Sequence, residues 1–252
     1  MQIEKHLVSI ITPSYNSKKY ISETINSIIN QSYKNWELLI TDDLSTDNTI
    51  EIVESYVKND SRIKLFKLEK NSGAGIARNN SIMQAKGRYI AFCDSDDQWK
   101  ESKLSKQIDF MITKDLSFTY SSYDVIDEEN NKLKSIYSPI KLSYKEMLRN
   151  NYVGCLTAIY DQDKLGKLYM SKIRKRQDWT LWLKIFKIIK NARGMREILA
   201  IYRDRTGSIS NNKFLLLKYN WIIYNKELGF NKLKSLLLLL NFLYYYARKK
   251  NK

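Results

Sequence analysis

Residues 94–97 of the chain read Asp-Ser-Asp-Asp and directly follow a short apolar run at residues 89–93. A strand of this kind brings its last residues to the edge of a sheet, where neighbouring carboxylates repel one another unless a cation or solvent relieves them. Oxygen ligands without His or Cys suit Mn²⁺ or Mg²⁺, and such ions commonly complete their shell with substrate phosphates. The cluster therefore favours a metal site that binds a diphosphate. A solvated loop or a helix cap is the alternative.

The first 123 residues alternate short apolar runs with segments of helical periodicity, which is typical of an α/β fold with a mostly parallel central sheet. In such sheets, ligands bind at the carboxyl ends of the strands. Polar residues follow four of the predicted strands, so we expect these four groups to meet at one edge of the sheet. The predicted strands are residues 7–12, 36–41, 63–68, 89–93 and 118–123, and the polar groups are residues 13–16, 42–43, 71–79 and 94–97.

The second half of the chain is less regular, with a short strand expected within residues 151–160, a helix over 178–189 and a strand over 198–202. No Pro-rich or Gly-rich linker separates the halves. We therefore predict one domain over residues 1–210. Its regular half is residues 1–123 and its less regular half is residues 124–210, followed by a basic helical segment over 211–252.

The net charge of +16 is unevenly distributed along the chain. Residues 1–110 hold 15 basic and 15 acidic residues, whereas the remainder holds 28 basic and 12 acidic residues. Such asymmetry indicates a polyanionic partner, either nucleic acid or an anionic membrane surface, unless the lysines form a merely solvated face. Because no zinc-ligand set and no RNA-recognition signature is present, we predict no nucleic-acid partner.

The C-terminal segment contains an uncharged stretch, SLLLLLNFLYYYA at residues 235–247, between basic flanks. Its 13 residues are too few to span a bilayer, which takes about 20. A helix lying in the membrane interface is one interpretation. A helix that docks on the core, or that forms a homodimer with a second copy, is the other.

The first residues carry no signal-peptide pattern, and Cys93 and Cys155 are too few for a disulfide framework. A cytoplasmic protein, peripheral at the inner face of the plasma membrane, is the resulting expectation. His6 is the only histidine and lies near the start of the first strand, which excludes most histidine-based chemistry at the opposite edge.

Two stretches of the chain resemble the N-terminal half of the inverting family 2 glycosyltransferases, whose nucleotide-sugar domain has the GT-A fold. They are VSIITPSYNSKKYISETINSIINQSYKNWELLITDDLSTDNT, and NSGAGIARNNSIMQAKGRYIAFCDSDDQW. The resemblance is close over about residues 6–130 and looser over the remainder. Several separated motifs in the same order make it more specific than any single motif.

The resemblance implies a UDP-sugar donor. Asp43 would accept the uracil N–H, the Tyr15 ring would stack on the base, and Asp42 would only orient the loop. Asp94 and Asp96 match the family's DxD motif and, with the adjoining Asp97, are the implied ligands of a Mn²⁺ or Mg²⁺ ion. The full set of implied nucleotide-sugar-binding residues is Thr12, Pro13, Tyr15, Asp43, Gly73, Arg78, Asn79, Asp94 and Ser95. Gly75, with Gly73, would let the backbone approach the ligand.

Inversion at the anomeric carbon requires one general base on the acceptor side. Asp178 lies where the family carries Glu-Asp before an apolar helix, although Gln177 replaces the glutamate. The alternative role for Asp178 is a helix N-cap. A segment with Tyr202, Arg203, Arg205 and Ser208 resembles one that closes over the diphosphate in the family. The resemblance also implies that residues 1–123 are the nucleotide-sugar-binding half and residues 124–210 the acceptor and catalytic half.

The function implied is metal-dependent transfer of a sugar from a UDP-sugar, with inversion, to an acceptor hydroxyl. Family habit and charge suggest a polyprenyl-diphosphate-linked glycan acceptor of surface polysaccharide assembly. The alternatives are nucleic-acid binding, a non-catalytic assembly subunit, and nucleotidylyl transfer. The last is disfavoured because residues 13–16 replace the glycine-rich loop that such enzymes carry after the first strand. The sequence does not define the sugar, the acceptor hydroxyl or the oligomeric state.

Overall fold

The computed structural model describes residues 6–205 and 213–250. Its strands are β1 (Val8–Ser14), β2 (Trp36–Asp42), β3 (Ile63–Lys67), β4 (Tyr89–Phe92), β5 (Gln98–Trp99), β6 (Phe118–Ile126), β7 (Lys132–Ile136), β8 (Lys141–Ser143), β9 (Ile159–Asp161) and β10 (Asn191–Arg203). Its helices are α1 (Ile21–Ile29), α2 (Thr49–Asn59), α3 (Ala74–Gln84), α4 (Lys103–Thr113), α5 (Tyr144–Met147), α6 (Gln162–Leu165), α7 (Gln177–Ile189), α8 (Lys213–Ile222) and α9 (Lys232–Lys250).

The strands form one sheet in the order β3-β2-β1-β4-β9-β6-β10-β5, with β7 beside β6 and β8 beside β10. The pairs β1–β2, β1–β4, β2–β3 and β6–β10 are parallel. Strand β9 is antiparallel to both of its neighbours and joins the two halves of the sheet. The expected α/β class with a mostly parallel sheet is confirmed, and strands from both halves of the chain share that sheet.

The central strands are buried along their whole length because helices cover both faces of the sheet. Every residue of β1, β2 and β4 is buried. Side chains of a strand alternate between faces, so Ile10 and Leu38 join the core under α1, α2 and α4, while Ile11 and Leu39 join the core under α3 and α7. This two-sided burial is what the short apolar runs of the sequence indicate.

The strand order reverses at β1, and this reversal opens the crevice where such sheets bind ligands. The chain leaves β1 for β2 and β3 on one side and returns with β4 on the other. Strand β4 pairs with β1 only as far as Ile11 and Phe92, so residues 12–14 lie beyond its end. Pro13, which has no N–H to donate, is accommodated there.

The second half departs further from the expectations drawn from the sequence. The strand expected at residues 198–202 is the end of the 13-residue β10. Two register shifts against β6, between Met195 and Ala200, interrupt its periodicity. The short strands β5, β7 and β8 were not predicted, because two to five residues at a sheet margin carry little periodic signal. Helix α7 begins at Gln177, one residue before the predicted start.

The C-terminal helix α9 docks one face on the core. Ser235 and Phe242 are buried, and Leu238 and Leu239 pack against the cluster that contains α7. In the turn before it, the Tyr224 ring meets the edge of Trp179 at 5.8 Å between centroids. The predicted boundary at residues 210 and 211 lies outside the described residues. Within the described ranges, the helices are too short or too polar to cross a bilayer.

Candidate active site

Asp42 ties together the loops that follow β1 and β2. Its Oδ2 accepts hydrogen bonds from the hydroxyls of Ser14 at 2.8 Å and Ser45 at 2.6 Å, and its Oδ1 accepts from the Ser45 N–H at 2.7 Å. The side chain is fully buried. Asp42 therefore orients the loop, as the sequence indicated.

Asp43 joins this arrangement to the loop before α3. Its two carboxylate oxygens accept the N–H groups of Ser72 and Gly73, each at 2.7 Å. Its own N–H donates to the Ser14 carbonyl at 2.8 Å. Gly73 has φ of 92°, a conformation that glycine adopts without strain. Each carboxylate oxygen retains a second lone pair, so the predicted contact with a uracil N–H remains compatible with this geometry.

A pair of serines connects the loop after β1 to residues 94–97, which we call the acidic turn. Ser17 Oγ lies 2.7 Å from Ser95 Oγ, and the Ser17 N–H donates to Thr49 Oγ1 at 2.7 Å. Tyr15 exposes about half of its surface at the same edge. Thr12 is buried, and its hydroxyl has no hydrogen-bond partner in the described part of the chain. Tyr15 is thus the one aromatic ring of this loop that a base could contact directly.

Arg78 and Asn79 follow one another on α3 but have different contacts. Arg78 donates from Nη2 and Nε to Asp94 Oδ1, at 2.6 and 3.2 Å. Burial opposes the Arg78 cation, but Asp94, Cys155 and Asp178 together outweigh burial, so the pKa of Arg78 is raised. Asn79 uses both amide atoms on the backbone of Met170, donating at 2.9 Å and accepting at 2.8 Å. Asn79, predicted to contact the nucleotide, is therefore engaged in holding the chain that leads towards α7.

The acidic turn is closed by the Asp97 N–H, which donates to the Asp94 carbonyl at 3.1 Å. Asp96 Oδ2 pairs with Arg205 Nε at 2.7 Å. Asp97 Oδ1 accepts the backbone N–H of Arg203 at 3.1 Å. Burial, with Asp96 and Asp94 nearby, raises the pKa of Asp97 well above its usual range. Burial also raises the pKa of Asp96, against the opposing effect of Arg205.

The three carboxylates predicted to bind one metal ion each contact a different partner. Asp94 forms an ion pair with Arg78, and Asp96 forms one with Arg205. Asp97 accepts a hydrogen bond from the backbone N–H of Arg203. Over residues 6–205 and 213–250, no group of three or more His, Cys, Asp and Glu side chains is arranged to hold a metal. The predicted three-carboxylate ligand set is not assembled in this arrangement, because hydrogen bonds within the fold fix two of its members. The carboxylate of Asp96 suits a cation, because its present partner, the half-exposed Arg205, is itself a cation.

Arg203 braces the acidic turn from beneath. This buried side chain donates to Glu23 Oε2 at 2.6 Å, to the Asp96 carbonyl at 3.1 Å and to Asn130 Oδ1 at 2.9 Å. It therefore connects the turn to α1 and to the loop between β6 and β7. The sequence placed Arg203 in a segment over the diphosphate, whereas the structure gives it a structural contact. Ser208 of that segment lies outside the described residues.

A cavity of about 530 Å³ adjoins the acidic turn on the side of α7. The cavity is lined by four predicted site residues, which the structure thus brings together: Arg78, Asp94, Asp97 and Asp178. Four tyrosines complete much of its wall, at positions 123, 137, 152 and 202. Burial, with Asp97 and Asp178 nearby, raises the pKa of Tyr123 to about 12, so its hydroxyl is a hydrogen-bond donor at neutral pH. Such a mixture of aromatic faces and convergent polar groups is typical of a ligand site.

Asp178 lies in the first turn of α7, and its Oδ2 accepts a hydrogen bond from Asn151 Nδ2 at 2.8 Å. Burial raises the pKa of Asp178, while the Trp179 N–H, Arg78 and Asn151 oppose that rise. The alternative of an N-cap is wrong, because Arg176 occupies the cap position with φ of 61°. A carboxylate with a raised pKa is a stronger base, so Asp178 is suited to accept a proton.

Asn151 and the tyrosines at positions 123, 137 and 152 were not predicted from the sequence, whereas Tyr202 belongs to the segment that the resemblance placed over the diphosphate. The unpredicted residues lie on irregular segments and separate strands, and no fixed spacing relates them to Asp178. Gly75 was predicted to let the backbone approach the ligand, whereas the structure gives another reason for a glycine there. A Cβ there would meet Gln177 Cγ at 2.9 Å, so its lack of a side chain lets α3 approach the start of α7.

Comparisons with known proteins agree with this architecture. The family model of glycosyl transferase family 2 matches residues 9–199. TuaG of Bacillus subtilis (strain 168), named for a glycosyltransferase role in teichuronic acid biosynthesis, is 44% identical over 223 residues, covering 88% of each chain. WfgD of Escherichia coli, a UDP-Glc:alpha-D-GlcNAc-diphosphoundecaprenol beta-1,3-glucosyltransferase, is 40% identical, covering 96% of this chain and 94% of the relative. The crystal structure of S. aureus TarS 1-349 in complex with UDP-GlcNAc is similar with a TM-score of 0.73 and 23% identity, covering 94% of this chain and 71% of that one.

Proposed function

The chain belongs to glycosyl transferase family 2 and is a glycosyltransferase, and from this premise we propose that it transfers a sugar, with inversion, from a UDP-sugar to a hydroxyl of a lipid-linked glycan. One observation carries the proposal. The Asp178 carboxylate, held by Asn151, faces the same cavity as Asp94 and Arg78. A base on one wall and a diphosphate-binding edge on another are what a single displacement requires.

In the proposed reaction, Asp178 takes the proton of the acceptor hydroxyl while the oxygen attacks the anomeric carbon. The bond to UDP breaks on the opposite face, so the configuration inverts. Asn151 fixes the orientation of the carboxylate through its hydrogen bond to Oδ2. Arg78 keeps Asp94 aligned at the cavity wall through two hydrogen bonds.

We further propose a Mn²⁺ or Mg²⁺ ion at Asp96, beside Asp94 and Asp97. The all-oxygen donor set suits these ions, and the present partner of Asp96 is itself a cation. When bound, the ion offsets the negative charge that builds on the diphosphate as UDP leaves. Arg203 then has a supporting role, because it holds the backbone of the turn that carries Asp96.

The donor end of the proposal uses the loops after β1 and β2. Asp43 accepts the uracil N–H with the lone pairs left by Ser72 and Gly73, and the exposed Tyr15 ring stacks on the base. Thr12 and Pro13 form the buried floor beneath this loop. Ser95 couples the nucleotide loop to the acidic turn through Ser17.

The names of two relatives and the basic charge of the second half of the chain support a lipid-linked acceptor. WfgD is named for an acceptor that carries a diphosphate and a polyprenyl lipid, and TuaG is named for teichuronic acid biosynthesis. The second half of this chain, with 28 basic residues against 12 acidic ones between residues 111 and 252, suits such an anionic acceptor and an anionic membrane. We therefore propose surface polysaccharide biosynthesis at the cytoplasmic face of the plasma membrane.

A direct assay tests the proposal. Purified protein is incubated with UDP-glucose, UDP-galactose or UDP-N-acetylglucosamine, a synthetic GlcNAc-α-diphosphate-lipid acceptor, and either Mn²⁺ or EDTA. We expect transfer from one UDP-sugar, a product of inverted anomeric configuration by NMR, and loss of transfer in EDTA. A product of retained configuration would contradict the role of Asp178. A thermal shift produced by GDP-sugars but not by UDP-sugars would contradict the role of Asp43.

A further inference from the structure

The outward face of α9 carries a continuous row of exposed apolar side chains. Leu233, Leu237 and Leu240 expose 69%, 59% and 53% of their surfaces, and Leu236 and Tyr244 lie beside them. The spacing of these residues, three, four, seven and eleven positions after Leu233, places them on one side of a helix. The opposite side of α9 is already buried on the core. Helix α9 is therefore apolar on two sides. One side is buried on the core, and the other is exposed and suits a partner.

The charges of α9 indicate which partner fits. Residues 232–250 contain five Lys and Arg residues, placed at both ends, and no Asp or Glu. A second copy of α9 would bring cations against cations, whether the two helices ran parallel or antiparallel. An anionic bilayer attracts both ends and accepts the leucines between them. Charge complementarity therefore favours a membrane surface over self-association.

The same helix contacts the elements around the catalytic base. The guanidinium of Arg176 lies 5.3 Å from the Phe242 ring of α9 and 5.0 Å from the Trp179 ring of α7. Arg149 lies over Tyr245 at 4.9 Å. Tyr152 lines the cavity, and its hydroxyl interacts electrostatically with Arg149 and Tyr245. The docked helix is therefore adjacent to the wall of the cavity that contains Asp178.

We propose that the exposed leucine face of α9 lies in the interface of an anionic bilayer and so places the Asp178 cavity beside acceptors held in that bilayer. The second part of this inference rests on the proposed function, whereas the membrane contact does not. The leucines enter the boundary between headgroups and acyl chains, and the basic ends contact the headgroups. The cavity then receives its acceptor from the membrane plane through its Tyr152 side.

Vesicle binding by two matched double variants tests the membrane contact. Leu237→Glu with Leu240→Glu places carboxylates on the outward face, and Met83→Glu with Ile112→Glu places them at exposed apolar positions of α3 and α4, which are 55% and 42% exposed. Co-sedimentation uses vesicles of phosphatidylglycerol and phosphatidylcholine in equal parts, and vesicles of phosphatidylcholine alone. We expect the unaltered protein to prefer the anionic vesicles and to dissociate as salt is added. The α9 variant should bind about tenfold or more weakly, and the control variant should bind like the unaltered protein.

Three results would overturn the inference: no binding of the unaltered protein to anionic vesicles, equal binding by the α9 variant, or loss of a dimer in the α9 variant with vesicle binding unchanged. Light scattering after gel filtration detects the last. Equal UDP affinity of all proteins by calorimetry shows that the variants are folded. Vesicle binding without sugar transfer would contradict the proposed function alone, and transfer without vesicle binding would contradict the membrane contact alone.

Discussion

The loops after β1 and β2, which form the donor edge of the proposed function, differ from the cavity lined by Asp178, its acceptor cavity, in how their carboxylates are held. At the donor edge, Asp42 and Asp43 accept five hydrogen bonds from neighbouring loops, which saturate much of their capacity. In the cavity, Asp178 accepts one side-chain hydrogen bond, from Asn151, and burial raises its pKa. Hydrogen bonds hold the first pair in fixed positions, whereas the raised pKa of Asp178 makes its carboxylate a better proton acceptor. In the proposed function, the first pair holds the loops that bind the nucleotide, and Asp178 takes the proton of the acceptor.

The sharpest way to break this comparison is to remove the charge of Asp178. Asp178→Asn keeps the shape of the side chain and an oxygen for Asn151, but it cannot accept a proton. We expect the transfer rate to fall by about 10²–10⁴, with the affinity for UDP unchanged. Steady-state rates and calorimetry with UDP measure the two quantities. Weakened UDP binding of similar size would show that Asp178 acts on the donor side instead.

The converse change at the donor edge is Asp43→Asn. One amide of the loop before α3 would then face an NH₂ group in place of an oxygen, and an unsatisfied buried N–H destabilises by about 1–3 kcal/mol. We expect UDP to bind about 5–150-fold more weakly, because the loop loses its fixed geometry. Calorimetry with UDP measures the change. Asp109→Asn, at an exposed position of α4, is the control, and equal affinity in both variants would refute the role of Asp43.

A finer test alters the surroundings of Asp178 and leaves its charge. In Asn151→Ala, the hydrogen bond that lowers the pKa of Asp178 is lost, so that pKa rises further. The proposed reaction requires the ionised carboxylate of Asp178. The transfer rate should therefore fall as pH decreases, with a midpoint above the ordinary aspartate range. In the variant, this midpoint should move to higher pH. A loss of about tenfold in rate at neutral pH is expected. A pH–rate profile of unchanged midpoint would contradict this assignment.

The last expected effect is on stability and concerns the buried side chain of Lys103 at the start of α4. Lys103 donates to Gln107 Oε1 at 2.7 Å and lies 4.1 Å from the Trp99 ring, and burial lowers its pKa to about 7. Above that pH the unfolded chain holds the extra proton, so stability should rise with pH from about 7 towards 10.5. Relative to Lys103→Met, the unaltered protein should gain at most about 1.4 kcal/mol per pH unit. Urea unfolding at several pH values measures this slope, and a flat difference would contradict it.

The donor edge could be predicted from the sequence because local patterns determine it. Apolar runs mark β1, β2 and β4, and each run is followed directly by the polar residues of its loop. Since parallel strands end at one edge, Asp43 and Asp94 could be placed near each other without knowledge of any contact. The unpredicted details are the hydrogen bonds that occupy these side chains, such as those of Asn79 to Met170.

The acceptor cavity could be predicted only in part. Asp178 was found through a resemblance and the apolar periodicity of α7. Asn151, Tyr137 and Tyr152 lie in segments outside the strands and helices, where there is no apolar periodicity to indicate their positions. The predicted metal ligands illustrate the same limit, because the spacing of residues 94–97 does not show that Arg78, the Arg203 backbone N–H and Arg205 contact their carboxylates.

The contacts of Arg203 also bear on the order in which the molecule assembles. Its ion pair with Glu23 joins residues 180 positions apart, and its backbone fixes Asp97 across 106 positions. Contacts of such sequence separation form late in folding, since long loops must close first. During synthesis, the acidic turn would therefore gain its final geometry only after β10 has left the ribosome. Nascent chains that stop before residue 203 should fail to retain UDP, even though Tyr15, Asp43 and residues 94–97 are already present.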